Sequence, residues 1–284
     1  MEFIKERLNE IEKKYNVKII FAVDNGSNAY GIASPNSDID LRFLYVETLE
    51  SYLKLGREKD IIEIIDKENN IEYKGFSLDK FLKLLSKSNP SVLEELNSPI
   101  SYLEKNNFER ITNEIKELSV EFFSMKRCLF HYTGNAINDL KKVEETIIKL
   151  ELDNKKSFVK LIVKKVLSIF RALLVCEYII NEKRYPTTTN FTFLMDNSTT
   201  IKKVKFDEAI TIYDLLKELI SLKKECVGYF VIEKEKFENF LEFINNSIDE
   251  YRNIANELKD KAIDFKKIND YYIKVLKEIN DVDF

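Results

Sequence analysis

Tryptophan is absent from this chain, and the residues that interrupt regular structure are scarce, with six Gly and four Pro in 284 residues. So few breakers exclude a low-complexity linker and predict long helices. The three cysteines, Cys128, Cys176 and Cys226, are odd in number and far apart, with no CxxC spacing, which argues against a disulfide framework or a zinc site. Histidine occurs once, as His131 in HYTGNA; a lone histidine is expected to be structural rather than catalytic. No apolar run approaches the roughly eighteen residues of a membrane span, and no signal or transit segment is legible, so a cytoplasmic location without membrane contact is expected. Positive charge is not in excess either: 45 Lys and Arg face 49 Asp and Glu, for a net charge of −4. A protein that coats nucleic acid through bulk charge is thereby excluded, whereas a local basic groove is not.

What is present is a globular balance of 44% hydrophobic and 33% charged residues. Residues 2–15 repeat Phe3, Ile4, Leu8 and Ile11 at helical spacing. VKIIFAV (17–23) reads as a buried strand running into an Asp-Asn-Gly turn, and IDLRFLYV (39–46) as a second strand. DIIEIID (60–66) and IEYKGF (71–76) form a predicted hairpin. Beyond residue 77 the period becomes helical, with Ser77 as a cap, Pro90 near a helix start and Pro99 past its end. From residue 108 onward five to seven helices are predicted, broken near 151–154, 185–200 and 228–233. The expected fold class is α+β: a small mixed sheet with flanking helices over 1–120, then a helical domain over 121–284.

One stretch departs from the helical, charged background: NGSNAYGIASPNSDIDLRFLYV, residues 25–46. Strand side chains alternate, so Asp38 and Asp40 project to one side of the second strand and Ile39 to the core. Two carboxylates so close repel each other unless a cation neutralises them. Magnesium or manganese, held by carboxylate oxygen and phosphate, suits such a pair. Glu72, from a later strand, could add a third carboxylate, and three such groups can hold two metals about 3.5–4 Å apart around a phosphoryl transfer. At Gly26 and Ser27 a glycine allows close backbone approach, and exposed N–H groups with a hydroxyl bind phosphate; SNAYGI is expected to form a short helix behind that turn. Each part alone has a bland reading, a connecting turn or a polar edge strand, but the ordered combination favours function. Arg42 shares the face of the two aspartates, where it could contact a phosphate or simply balance their charge.

These residues resemble the DNA polymerase β-like nucleotidyltransferases, whose pattern is strand, Gly-Ser, helix, Asp-x-Asp. More narrowly, GSNAYGIASPNSDIDLRFLYV is similar to the YcgL-type, RNA-ligase-associated group, with its Gly-Ser, aromatic-Gly pair, Ser-Pro and Asp-x-Asp-x-Arg. KGFSLDKFLKLLSKSNPSVLEELNSPISY (74–102) resembles a second block of that group, and KKVLSIFRALL (164–174) a third, fainter one. The likeness covers 25–46, 71–102, parts of 131–136 and 164–186, and little of the last hundred residues. It implies that Asp38 and Asp40 bind catalytic metal, that Glu72 is third carboxylate and base, and that Gly26 and Ser27 hold the triphosphate. The sequence departs from the group at Glu72, where Asp is usual, at Asn28, where Arg is common, and at Phe76 and Glu95, which replace tryptophans.

A helix expected over 153–184 carries Lys160, Lys164 and Arg171 in one arc, with Lys165 pointing elsewhere. Spacing alone makes that arc a solvated face; the resemblance assigns Lys164 and Arg171 to nucleotide binding. Asn89 and Glu94 read as helix-shaping residues, and Phe237, Phe240 and Phe243 as core or interface rather than base-stacking platforms. The expected activity is transfer of a nucleoside monophosphate from a triphosphate, ATP among the candidates, to an acceptor hydroxyl with release of pyrophosphate. The resemblance favours an RNA end as acceptor. Nucleotidylation of a protein or small molecule, and a catalytically silent nucleotide- or partner-binding protein, stand as the alternatives.

Overall fold

The computed structural model describes residues 2–55, 60–103, 107–151 and 158–282. Along the chain run α1 (Glu2–Tyr15), β1 (Val17–Asp24), β2 (Ile39–Glu47), α2 (Leu49–Leu53), β3 (Ile61–Asp66), β4 (Ile71–Ser77), α3 (Leu78–Ser86), α4 (Pro90–Leu96) and α5 (Glu109–Phe122). There follow α6 (Met125–Glu151), β5 (Phe158–Ile162), α7 (Val163–Glu182), α8 (Phe191–Asn197), α9 (Thr200–Lys203), α10 (Ile212–Lys224), β6 (Tyr229–Glu233), α11 (Lys234–Glu257) and α12 (Phe265–Asn280). Two compact units result: Met1–Ala29 with Ser37–Ser124 and Lys261–Phe284, and Tyr30–Asn36 with Met125–Asp260. The chain thus enters the second unit briefly at Tyr30–Asn36, inside the motif stretch, and returns to the first at Lys261.

The first unit is built on a mixed four-stranded sheet of order β1-β2-β4-β3. β1 runs antiparallel to β2, β2 parallel to β4, and β3 antiparallel to β4, completing the expected hairpin. One face is apolar because alternate residues of the central strands are: Leu41, Phe43 and Tyr45 of β2 and Ile71 and Tyr73 of β4 meet Ile4, Leu8 and Ile11 of α1 in one buried cluster. The opposite face carries α3, whose Phe81 ring meets Phe21 of β1 edge-on at 5.6 Å. Asn89 caps α4 by accepting from the Ser91 amide, with Pro90 in the first turn, as its sequence signature predicts.

The second unit is helical, with one addition that sequence periodicity did not suggest. β5 and β6 pair antiparallel, with Lys160 opposite Val231. The predicted 153–184 helix therefore begins only at Val163, and Lys160 lies on a strand, over the Tyr229 ring at 4.3 Å, rather than on the arc of Lys164 and Arg171. Residues 153–157 of that expectation lie outside the described residues. Between 108 and the C-terminus the described residues form eight helices rather than five to seven, because α8 and α9 are short pieces of the stretch read as a break. Phe170 of α7 stacks on Phe240 and Phe243 of α11, at 5.3 and 6.2 Å between ring centres, so these aromatics are core. His131 packs edge-on against Tyr132.

Candidate active site

β1 ends at Asp24, and its alternation is interrupted by a bulge between Ile19 and Phe21. A one-residue slip exchanges the two faces of a strand. Val17 and Ile19 face the α1 core before the bulge, and Ala22 faces it after, so Asp24 is also turned inward, opposite Leu41. There it is fully buried. Its carboxylate accepts from Tyr102 Oη at 3.0 Å, Gly26 N–H at 3.1 Å, Ala29 N–H at 3.4 Å and Asn28 Nδ2 at 3.4 Å. Burial raises its pKa above the usual carboxylate value, and those four donors work in the opposite direction. Residues 27–31 form turns rather than the expected helix, since Asp24 gathers the amides of Gly26 and Ala29 into a loop around itself. The amides of Ser27 and Asn28 are not among those Asp24 uses.

Gly26 has a steric reason. A Cβ there would lie 1.9 Å from Asp40 Oδ2, so only glycine lets the turn lie against that carboxylate. The Asn25 amide adds a bond to the Asp40 carbonyl at 2.8 Å, seating the turn on β2. Asp38 is exposed and just outside β2, which begins at Ile39; Ile39 packs against the core as alternation required.

The parallel register of β2 and β4 sets Asp40 opposite Glu72 and Arg42 opposite Lys74. All four are on the face away from α1, because their neighbours Leu41, Phe43 and Tyr73 belong to the α1 core. Arg42 Nη2 meets Glu72 Oε1 at 3.0 Å and Asp40 Oδ1 at 3.4 Å, so one guanidinium bridges both carboxylates. Its side chain is 15% exposed, whereas that of Glu72 is 42% exposed. The Asp40 pKa is pushed up to about 6, chiefly by burial; Arg42 holds it down, and the charges of Asp38, Glu72 and Asp24 add to the rise. A second carboxyl on this face drew no functional reading from the sequence. Glu95 of α4 is 2% exposed, and its Oε2 has no hydrogen-bond partner. Burial pushes its pKa up to about 8, against the pull of Arg42 and, more weakly, Lys74. Its position in an apolar helical run was the available signal.

In the second unit, Lys164 is exposed on α7. Arg171 lies on the same helix with its guanidinium 4.1 Å over the Tyr30 ring and 6.0 Å from that of Tyr132. Gly31, the other half of the aromatic-Gly pair, has φ +72, and a Cβ on it would meet Asn190 Nδ2 at 2.7 Å. Phe191 N–H donates to the Tyr30 carbonyl at 2.9 Å and Lys223 Nζ to the Ile32 carbonyl at 2.6 Å. The Tyr30–Asn36 segment is therefore held by side chains and backbone of α7, α8 and α10.

The sequence profile described as RlaP, RNA repair pathway DNA polymerase beta family, matches residues 1–274. The chain belongs to that family. A Bacillus subtilis (strain 168) protein known as the uncharacterized protein YcgL is 28% identical over 279 residues, covering 97% of this chain and 96% of its own. A nucleotidyltransferase-like protein from Exiguobacterium sibiricum 255-15, solved by crystallography, aligns over 97% of this chain and 90% of its own, at 10% identity and a TM-score of 0.31. That likeness is too low to carry an argument. Family membership places the chain among polymerase beta-like nucleotidyltransferases of an RNA repair pathway.

Polymerase beta-like nucleotidyltransferases generally use divalent metals. Asp38, Asp40 and Glu72 offer oxygen donors only, which suits a hard cation such as Mg2+ or Mn2+. In the arrangement described, Arg42 serves as the cation between Asp40 and Glu72, and among the described residues no three His, Cys, Asp or Glu converge as a ready metal cluster. The donor chemistry fits the metal. No helix among the described residues is long and apolar enough to cross a membrane.

Proposed function

We propose that the protein is a metal-dependent nucleotidyltransferase that moves a nucleoside monophosphate from a triphosphate to the hydroxyl of an RNA end, releasing pyrophosphate. The observation that carries this reading is the pairing of Asp40 with Glu72 across β2 and β4, bridged by Arg42 and closed against the Gly26 turn. Asp38, Asp40 and Glu72 would hold Mg2+ or Mn2+, two ions on the family pattern, which supply neutralisation of phosphate charge. The Ser27 hydroxyl and the amides of the turn orient phosphate oxygens, with Gly26 allowing their close approach. Arg42, once Glu72 is withdrawn from it, presents its guanidinium to the same oxygens. Glu72 accepts the proton of the acceptor hydroxyl; the new O–P bond forms at the α-phosphorus as the bond to the β-phosphate oxygen breaks, and pyrophosphate carries the electron pair away. Lys164 and Arg171 are assigned to nucleotide binding on the family resemblance alone. RNA as acceptor is supported by the family's description as an RNA repair pathway family.

The test incubates wild type and Asp40→Asn with α-labelled nucleoside triphosphates, Mg2+ or Mn2+, and total RNA, beside a tube without RNA. Label entering RNA with wild type alone is the expected result, and the four triphosphates then rank base preference. Label on the protein itself would replace RNA by a protein acceptor. Triphosphate binding with neither label transfer nor pyrophosphate would identify a silent binder.

A further inference from the structure

Asp38 is the one carboxylate of the proposed site that the sheet does not hold. β2 starts at Ile39, whose amide donates to the Asn70 carbonyl at 3.0 Å, and the ladder gives Asp38 nothing. Its main chain is engaged from the other side of the turn, where Asn28 Nδ2 donates to the Asp38 carbonyl at 3.0 Å. The same nitrogen lies 3.4 Å from Asp24 Oδ2. Both partners are acceptors, so only the amide NH2 end fits, with one hydrogen for each. Asp24 is in turn immobilised: Tyr102 and the Gly26 and Ala29 amides grip its carboxylate, and Ser98 Oγ donates to its carbonyl at 2.5 Å.

We propose that Asn28 is a positioning residue that fixes Asp38 relative to the Gly26-Ser27 turn, so that one carboxamide sets the spacing between the metal carboxylates and the phosphate-binding backbone. This rests on the reading of Asp38 and of Gly26-Ser27 given above. A carboxylate on a strand end without ladder bonds samples many positions, and each order of freedom removed before binding strengthens the binding that needs it. Asn28 removes that freedom for Asp38 from a buried anchor, Asp24. Metal and triphosphate affinity then share one strut and weaken together when it is cut.

The experiment measures Mn2+ binding by the electron paramagnetic resonance of free Mn2+, and binding of a non-hydrolysable α,β-methylene triphosphate with Mg2+ by calorimetry, so that no turnover is needed. The variants are Asn28→Ala, Asn28→Leu (similar size, no donor) and Asn28→Gln (donor kept on a longer arm), with Asp40→Asn as control. Asn28→Ala and Asn28→Leu are expected to weaken both ligands about fivefold to tenfold, the weight of one or two hydrogen bonds, with Tm within about 3 °C of wild type. Asn28→Gln recovers part of both losses. A merely structural role would lower Tm and leave both affinities unchanged. Affinities within twofold of wild type in the Ala and Leu variants, with Mn2+ binding lost in Asp40→Asn, would overturn the positioning role while leaving the site standing. Wild-type Mn2+ binding by Asp40→Asn would remove the site and the strut with it.

Discussion

Two arginines that the sequence offered as phosphate contacts are held in opposite ways in the two units. Arg42 lies on a central strand and bridges Asp40 and Glu72 through the pairing of β2 with β4. Arg171 lies on a helix with its guanidinium carbon 4.1 Å from the centre of the Tyr30 ring. The first interaction is electrostatic, and it lasts only while the carboxylates are ionised. The second depends on a ring face. A cation written into a sequence therefore says little about its role until the register of a strand or the path of a loop supplies its neighbours.

The largest expected effect tests whether the Arg42 cluster is catalytic at all. Asp40→Asn should lower pyrophosphate release by about a thousandfold or more, because a carboxamide neither neutralises nor holds a divalent ion comparably; turnover near wild type would detach the cluster from chemistry. Next is Glu95, the buried carboxyl on the Arg42 face. Its folded pKa of about 8 lies above its ordinary 4.5, so folding takes up a proton between those values. The stability it contributes is fully present below about pH 4.5 and is lost as pH rises through about 8. Glu95→Gln should flatten that fall and leave the variant more stable than wild type at pH 9, by on the order of a few kcal/mol. Denaturant titrations in EDTA at several pH values would measure it; parallel curves for the two proteins would show that Glu95 does not take up a proton on folding.

Gly26→Ala probes the closure of the turn on Asp40. The added Cβ would meet Asp40 Oδ2 at 1.9 Å, so the turn or the carboxylate must shift. We expect a loss of up to about a hundredfold in kcat/KM, the scale of a misplacement near 1 Å, with the far-ultraviolet circular dichroism retained. The smallest effect separates the two arginines directly. Asp40 has its pKa raised to about 6 from 3.8, so its own contribution to stability is present below about pH 4 and is lost as pH rises through about 6. Removing Arg42 leaves that charge uncompensated. Arg42→Met should therefore cost about 1 kcal/mol above pH 6 and less at pH 4.5, whereas Arg171→Met should cost about 0.5–1 kcal/mol for the lost contact with the Tyr30 ring. A cost of Arg42→Met that does not change with pH would detach Arg42 from the Asp40 charge.

Much of the first unit is readable locally. A β-branched and aromatic run ending at a turn identified β1, strand-like runs identified β2 and the β3–β4 hairpin, and Asn89 with Pro90 marked the start of α4, because such signals depend on a few neighbouring residues. Expectations failed where the deciding partner is distant. The stretch around Lys160 has apolar residues that serve a helix or a strand equally well, and its pairing with Val231 of β6 chose the strand. SNAYGI was expected to form a short helix, but the inward turn of Asp24 drew the Ala29 amide, with that of Gly26 just before the stretch, into a loop. Asn28, where the related group commonly has Arg, drew attention as a lost phosphate contact; in the fold its amide reaches Asp38 and Asp24 instead.

The amino-acid order by itself determined the chemistry available: a Gly-Ser turn, two aspartates on alternate positions beside an arginine, and no histidine or cysteine cluster to rival them. Those are properties of residue type and of a backbone whose side chains alternate, and they need no long-range contact. The tertiary structure decided which groups meet. Parallel pairing set Glu72 opposite Asp40, a bulge between Ile19 and Phe21 turned Asp24 into the core, and the path of the chain beside Asn190 gave Gly31 a positive φ. Each of these depends on register or on residues remote in the chain, which sequence periodicity does not encode, because one residue of slip exchanges every neighbour while leaving the pattern unchanged.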